Sequence, residues 1–276
     1  MTSIRKELEE FGLVPRKGLG QHFLVDKNIL NKVIQAAGVG KEDVVLEIGP
    51  GMGQMTALLA SHARRVVAIE IDPKLTGILR QKMRTHPNVE VIREDVLKSN
   101  LKRFPAQEGE KMKVVANLPY QISTPLLFRL IEIREIFSTL TLMLQKEVAE
   151  RMVAPPGVKD YGPLSIFVQL VSNPSIRFFI PPTAFFPPPK VESALVHITW
   201  KERPSAEVKD EEWFGRVVRG CFGYRRKMLI NGLKHSGLSV PVEVERKMEG
   251  MGIDPRRRPE TLTIKEFACL AEVLKP

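Results

Sequence analysis

A glycine-rich turn directly after a short apolar run is the feature that most constrains the fold of this chain. Val44-Val45-Leu46-Glu47-Ile48 predicts a buried strand, and Gly49-Pro50-Gly51-Met52-Gly53 follows at once. Residues 55–62 then have the composition of a helix. Glycines at such a turn let the backbone bend tightly and let a ligand approach closely. The sequence therefore predicts a strand–turn–helix unit of an α/β fold that binds a nucleotide-like ligand.

Short apolar runs recur between helical stretches over the first 200 residues, as in a sheet built from βαβ units. They lie at residues 65–70, 89–92, 113–116 and 140–144, and residues 193–200 alternate as an edge strand does. After Trp200 a polar segment is typical of a linker, and the remainder is helical in composition. We predict an N-terminal arm at 1–26, an α/β domain with a Rossmann-like sheet at 27–203, and a small all-helical C-terminal domain at 204–276.

The charge balance indicates a polyanionic partner. Lys and Arg number 42 against 32 Asp and Glu, which gives a net charge of +10. A positive surface raises encounter rates with nucleic acid and adds affinity through phosphate contacts, although general solubility explains the same balance. The C-terminal domain contains Tyr224-Arg225-Arg226-Lys227 and Arg256-Arg257-Arg258. We predict RNA binding there, with a solvated charged face as the alternative.

Several protein classes are disfavoured by what the sequence contains. The cysteines, Cys221 and Cys269, are far apart, which predicts neither a disulfide framework nor a metal site. No stretch approaches the ~20 apolar residues of a membrane span, and residues 1–10 carry acids without an apolar block. We expect a cytoplasmic protein with no membrane association. Because no interface signature is evident, we expect a monomer.

An acidic residue after the second strand narrows the choice of ligand. Glu70 lies 21 residues beyond Gly49, where a carboxylate can accept hydrogen bonds from both ribose hydroxyls. This arrangement suits NAD and S-adenosylmethionine alike, but the spacing is GxGxG and not the GxGxxG of dinucleotide sites. Gly49, Gly51 and Glu70 are therefore candidate contacts to S-adenosylmethionine. Asp95 ends the third strand and can accept from an adenine amino group, with a helix or turn cap as the alternative.

Asn117-Leu118-Pro119-Tyr120 follows the fourth strand directly and carries the predicted chemistry. The N6 amine of adenine is a poor nucleophile because its lone pair is delocalised into the ring. The Asn117 side chain and the Leu118 carbonyl can bind its two N–H groups, while Pro119 stiffens the turn and Tyr120 stacks on a flipped base. A sulfonium is a good leaving group, so positioning and electrostatics suffice without a strong general base. The motif indicates nitrogen methylation.

The chain resembles the small-subunit ribosomal RNA adenine dimethyltransferases over essentially its whole length. The resemblance rests on a series of blocks in the order of that family, at Gly20-Gln21-His22-Phe23-Leu24, Glu47-Ile48-Gly49-Pro50-Gly51, Glu70-Ile71-Asp72, Glu94-Asp95, Asn117 to Pro125, Tyr161 to Ser165, Phe186 to Ala194 and Arg225 to Leu229. It implies a Rossmann-like class I methyltransferase that uses S-adenosylmethionine. The implied substrate is N6 of two neighbouring adenines in the 3′-terminal hairpin loop of small-subunit rRNA, during ribosome biogenesis.

The resemblance also implies roles for individual residues. Leu24, Gly49, Glu70, Asp95 and Asn117 match positions that contact the methyl donor. His22 occupies such a position too, but the family usually has Asn there, so a histidine that anchors the arm is the alternative. Tyr120 and Phe185 match aromatic positions that sandwich the flipped adenine, and Phe185 in the core is the alternative.

Three rival functions remain at this stage. A large-subunit rRNA adenine methyltransferase is the nearest, although the blocks at 161–165 and 256–262 resemble the small-subunit group more. A binding protein of this fold, such as an assembly or transcription factor without turnover, would retain cofactor binding only. The third is an NAD-dependent dehydrogenase, but this sequence shows no set of residues for hydride transfer.

Overall fold

The computed structural model describes residues 4–105, 109–238, 240 and 242–275. The chain divides into two compact units, the first of Met1–Ala149 with Ser175–Trp200 and the second of Glu150–Pro174 with Lys201–Pro276. The domain boundary expected at residue 203 stays a prediction. Residues 150–174 join the C-terminal unit because Lys201 Nζ donates to the Gln169 carbonyl and the Ser205 N–H donates to the Leu170 carbonyl.

The elements of the described chain follow one another in an α/β order. They are α1 Ile4–Glu10, β1 Phe23–Leu24, α2 Lys27–Ala37, β2 Val44–Ile48, α3 Gln54–His62, β3 Arg65–Glu70, α4 Pro73–Lys82, β4 Val89–Arg93, β5 Met112–Asn117, α5 Ser123–Glu132, β6 Phe137–Gln145, α6 Lys146–Val153, α7 Pro163–Val171, β7 Ser172–Ile180, β8 Phe185–Phe186, β9 Ser193–Trp200, α8 Glu211–Gly223, α9 Leu229–His235, α10 Val244–Gly250 and α11 Ile264–Val273.

Seven strands form one sheet in the order β4-β3-β2-β5-β6-β9-β7. Strands β2 to β6 pair in parallel, and β9 pairs antiparallel with β6, so that Gln145 lies opposite Ser193. The strand order reverses between β2 and β5, and the crevice beyond the carboxyl ends of strands at such a switch point is where ligands bind. The α/β class and the six predicted strands are confirmed.

Three strands were not predicted from the sequence, namely β7 and the short strands β1 and β8. Strand β7 contains Pro174 and Arg177 and lacks a clean apolar run, and it lies at the edge of the sheet, where a proline is tolerated. Strands β1 and β8 form a two-stranded antiparallel pair, with Leu24 opposite Phe185. This pair fastens the N-terminal segment to the segment that precedes β9.

Local capping explains where the helices near the sheet begin. The Asp26 carboxylate accepts hydrogen bonds from the backbone N–H groups of Asn28 and Ile29 and starts α2, which ends at Gly38 with φ 57°. Asp72 caps α4 in the same way, and Pro73 occupies its first turn. Buried apolar side chains of α2, α3 and the central strands form one hydrophobic core cluster of the first unit.

The second unit is built from helices. Trp213 of α8 donates through Nε1 to the Ala271 carbonyl of α11 at 2.8 Å, and Thr263 and Glu266 form a reciprocal capping box at the start of α11. Cys221 is buried and Cys269 is exposed, both as free thiols. Among the described residues no group of His, Cys, Asp and Glu side chains is arranged to hold a metal ion. Within the same residues no helix has the length and apolarity needed to cross a bilayer.

Candidate active site

A pocket lies at the switch point of the sheet, beyond the carboxyl ends of β2, β3 and β5. It encloses about 980 Å³ not filled by protein atoms, part of it open to solvent. Ten of the eleven predicted site residues line it, namely His22, Leu24, Gly49, Gly51, Glu70, Asp95, Asn117, Leu118, Pro119 and Tyr120. Phe185 is absent from the lining.

The glycine turn between β2 and α3 adopts backbone angles that other residues avoid. Gly49 and Gly51 have φ of 69° and 58°, and Gly53 has φ of 83°. A Cβ on Gly51 would lie 2.9 Å from the Phe23 ring, so the turn packs tightly under β1. The floor of the pocket therefore depends on the absence of side chains at this turn.

Glu70 ends β3 as a buried carboxylate held in one orientation. Its Oε2 accepts from the Gly51 N–H at 3.2 Å and its Oε1 from the Asp72 N–H at 2.9 Å. Burial raises the pKa of Glu70, and these backbone hydrogen bonds oppose the rise. The carboxylate is thus fixed at the pocket wall, where it can accept from a diol.

Glu47, inside β2, lines the pocket although it was not predicted as a site residue. Its side chain is fully buried, and neither carboxylate oxygen has a hydrogen-bond partner in the described part of the chain. Burial raises the pKa of Glu47 to about 8, the nearby Thr56 hydroxyl opposes the rise, and repulsion from Glu70 adds to it. A buried acceptor without a partner indicates a donor supplied by a ligand. The available signal was an acidic residue within an otherwise apolar strand.

Asp95 lines the pocket and also caps a turn. Its Oδ1 accepts from the Leu97 N–H at 2.9 Å, and its carbonyl accepts from the N–H groups of Lys98 and Ser99. The capping alternative is therefore present in the structure. The position at the pocket wall leaves contact with a ligand as a prediction.

The Asn117 side chain has a fixed orientation at the end of β5. Its Nδ2 donates to the His22 backbone carbonyl at 2.8 Å, which leaves Oδ1 as its acceptor. The next residue, Leu118, is buried, and its N–H donates to the Met143 carbonyl of β6 at 3.2 Å. The turn that follows is closed by the Ile122 N–H, which donates to the Pro119 carbonyl.

Tyr120 is held from two sides at the rim of the pocket. Its hydroxyl lies 2.6 Å from Ser193 Oγ, and its ring stacks on the His22 imidazole with centroids 5.7 Å apart. His22 Nδ1 donates to the Pro187 carbonyl at 2.7 Å, so His22 anchors the N-terminal segment as well as lining the pocket. Burial raises the pKa of Tyr120, so its hydroxyl stays neutral. Ser193 was missed because nothing in the sequence indicates which strand faces Tyr120.

Phe185 lies in the core of the first unit. Its side chain is 3% exposed and packs in the cluster that contains Leu24, Ala184 and Leu195. The structure therefore does not bring this ring to the pocket beside Tyr120, in line with the core alternative. A stacking role for Phe185 stays a prediction that requires the ring to become uncovered.

The fold and this site together define a class I S-adenosylmethionine-dependent methyltransferase. The family model described as "Ribosomal RNA adenine dimethylase" matches residues 13–275. The chain belongs to the ribosomal RNA adenine dimethylase family.

Similar proteins agree with this assignment over nearly their whole lengths. The chain is 46% identical to the Ribosomal RNA small subunit methyltransferase A of Caldanaerobacter subterraneus, covering 94% of this chain and 97% of that protein. It is 44% identical to the protein of the same name from Geobacter metallireducens, covering 95% and 96%.

Solved structures show the same fold. A dimethyladenosine transferase from Plasmodium falciparum is similar with a TM-score of 0.76 at 31% identity, covering 90% of this chain and 96% of that one. The 23S rRNA methyltransferase ErmE is similar with a TM-score of 0.69 at 26% identity, covering 91% and 99%.

Proposed function

We propose that this enzyme transfers methyl groups from S-adenosylmethionine to N6 of two adjacent adenines in the 3′-terminal hairpin loop of small-subunit rRNA, giving N6,N6-dimethyladenosine. The observation that carries the proposal is the orientation of Asn117, whose Nδ2 is engaged by His22 and whose Oδ1 is left to accept. Relatives at 44% and 46% identity bear the name of small-subunit methyltransferases, which supports the choice of RNA.

The pocket fits S-adenosylmethionine by the chemistry of its donors and acceptors. The orphaned Glu47 carboxylate suits the amino group of the methionine moiety, and Glu70 suits the two ribose hydroxyls. Gly49 and Gly51 leave room for close approach of the ligand, while Asp95 and Leu24 line the same pocket. When bound, the cofactor supplies an electrophilic methyl group on a sulfonium leaving group.

The residues at the mouth of the pocket act on the target base. Asn117 Oδ1 and the Leu118 carbonyl accept hydrogen bonds from the two N–H groups of the adenine amine. These hydrogen bonds favour a tetrahedral nitrogen, whose lone pair is no longer delocalised into the ring. Pro119 holds the turn, and the Tyr120 ring, fixed by Ser193, stacks on the extruded base. Catalysis rests on alignment and on electrostatic support for positive charge that develops at nitrogen.

The partner is the RNA of the assembling small ribosomal subunit, and we infer that the enzyme acts as a cytoplasmic monomer without a membrane. The net charge of +10 supports a polyanionic partner. The basic C-terminal residues 225–227 and 256–258 are candidate phosphate contacts. We assign methyl transfer to residues 27–203 and RNA binding to residues 204–276.

The test uses tritiated S-adenosylmethionine with small subunits that lack adenine dimethylation and, in parallel, with large subunits. Nuclease digestion and mass spectrometry then locate the label. Dimethyladenosine confined to the small-subunit hairpin is the expected result. Label on large subunits alone would keep the chemistry and overturn the substrate. Cofactor binding without any label would indicate a binding protein.

A further inference from the structure

An exposed aromatic ring lies beside the active site on the edge strand of the sheet. Phe179 of β7 is 47% exposed, whereas its neighbours Phe178 and Ile180 pack into the core. Residues alternate between the two faces of a strand, so Arg177 shares the outward face with Phe179. A single exposed apolar residue needs no explanation, so any function must come from what surrounds this ring.

One cation contacts the ring. Lys146 Nζ lies 5.1 Å from the centroid of Phe179, and it also pairs with Glu192 at 2.8 Å. Arg177 is exposed two residues before Phe179 on the same strand, and Lys190 and the apolar Val191 are exposed directly before Glu192. We call this set the Phe179 surface, and it comprises Lys146, Arg177, Phe179, Lys190, Val191 and Glu192. Three cationic side chains against one carboxylate leave it positive, which is complementary to a phosphate backbone.

The Phe179 surface is continuous with the groups that hold the target base. Ser193, whose Oγ lies 2.6 Å from the Tyr120 hydroxyl, directly follows Glu192. The Lys146 N–H donates to the Glu192 carbonyl at 3.0 Å, at the carboxyl end of β6. Three strand spacings separate β5 from β7, so this surface lies on the order of 14 Å from the Asn117 turn.

We propose that the Phe179 ring is a second stacking platform, which takes an unpaired RNA base flanking the adenine held at Tyr120. Lys146, Arg177 and Lys190 contact the phosphates of the same strand. Sequence-tolerant binding of single strands combines an aromatic face with a positive groove, and both are present here. The proposal deepens the proposed function by assigning where the RNA on one side of the target runs. It rests on that function.

Substitutions at Phe179 separate stacking from apolar contact. Phe179→Ala and Phe179→Leu each remove the aromatic face, and we expect both to raise KM for unmethylated small subunits roughly 5- to 100-fold. The kcat and the Kd for S-adenosylmethionine should stay within about twofold of wild type. Phe179→Trp keeps a stacking face and should retain the wild-type KM. Phe11→Ala, which removes an exposed phenyl outside the pocket, is the matched control.

The outcomes distinguish this proposal from the proposed function. If the wild-type enzyme does not label small subunits, the proposed function fails. If it does and Phe179→Leu keeps the wild-type KM, the stacking platform is wrong. Short-wave ultraviolet cross-linking of the Phe179→Trp enzyme to subunits adds a direct readout. A residue-179 peptide joined to a nucleotide near the dimethylated adenines supports the proposal, and one joined to a ribosomal protein overturns it.

Discussion

The Asn117 side chain is oriented by its hydrogen bond to the His22 backbone carbonyl. Substitution of this single residue can therefore separate cofactor binding from methyl transfer. Asn117→Ala removes the proposed acceptor for the adenine amine and leaves the proposed cofactor contacts of Glu47 and Glu70 in place. We expect transfer to fall below detection and the Kd for S-adenosylmethionine to rise less than about threefold. Single-turnover methylation and calorimetry measure the two effects. An equal loss of binding and transfer would refute the assigned role.

In the proposed mechanism Ser193 is a positioning residue, since it contacts Tyr120 and would act on the base only through that ring. Removing either partner of the 2.6 Å contact leaves the ring held on one side, by the His22 imidazole. We expect Ser193→Ala and Tyr120→Phe each to lower kcat roughly 3- to 10-fold, in line with about 1 kcal/mol for a hydrogen bond.

A double variant tests whether these two residues act together. If they act through their contact, Ser193→Ala combined with Tyr120→Phe loses no more kcat than either change alone. Multiplied losses would show that Ser193 acts elsewhere. Thermal unfolding of all three variants controls for a general loss of packing.

Glu47 makes the stability of the apo enzyme depend on pH. Its pKa is raised by burial from 4.5 in the unfolded chain to about 8 in the folded one. The folded state therefore binds more protons between these values, and Glu47 lowers stability progressively as pH rises from about 4.5 to 8. The shift converts to at most about 5 kcal/mol.

Glu47→Gln removes this titration. Denaturant unfolding of the two proteins at pH values on either side of that window measures the effect. We expect the stability of the variant relative to wild type to increase with pH and then to level off. A difference that is independent of pH would show that Glu47 is ionised in the folded enzyme.

At the scale of elements, the site depends on a turn and on a strand of two residues. Strand β1 holds Leu24 and Phe23 against β8, and the preceding segment is tied to α4, where Gln21 Nε2 donates to the Asp72 carboxylate at 3.3 Å. Arg16 pairs with the same carboxylate at 3.4 Å. These contacts bring His22 to the pocket although it lies 95 residues from Asn117.

Gly51→Ala tests the tight packing of the turn under β1. The new Cβ meets the Phe23 ring, and φ of 58° is strained for alanine. We expect a loss of about 1–2 kcal/mol of stability together with at least tenfold weaker cofactor binding.

The matched control is Gly77→Ala, in the interior of α4 with open space around it. There alanine should stabilise the protein by up to about 1 kcal/mol. Chemical denaturation and titration with S-adenosylmethionine measure both variants. Wild-type cofactor affinity in Gly51→Ala would mean that the turn does not form the pocket floor.

At the scale of the whole molecule, the net charge of +10 should govern association with RNA and leave the cofactor site unaffected. Raising salt from about 50 to 200 mM should weaken binding to small subunits by on the order of 10²–10³-fold, through loss of counterion release. The Kd for S-adenosylmethionine should change less than about twofold. A shallow salt dependence of subunit binding would show that phosphate contacts contribute little.

The class of fold, six of the strands and ten residues that line one pocket were all predictable from the sequence. Parallel strands place their carboxyl ends on one edge, so the residues after β2, β3, β4 and β5 converge there, whereas His22 and Leu24 were expected from the family resemblance. The glycine turn and Asn117-Leu118-Pro119-Tyr120 were recognisable because each is a continuous motif that directly follows an apolar strand.

Contacts between segments that are distant in the chain could be read from the folded molecule alone. It placed Phe185 in the core, brought Ser193 to Tyr120, and oriented the Asn117 amide through a carbonyl of the N-terminal segment. It also left the Glu47 carboxylate inside the pocket without a hydrogen-bond partner among the described residues, and it left Phe179 exposed on β7. Burial and hydrogen bonding between segments far apart in the chain carry no local sequence pattern, since they arise from packing of the whole unit.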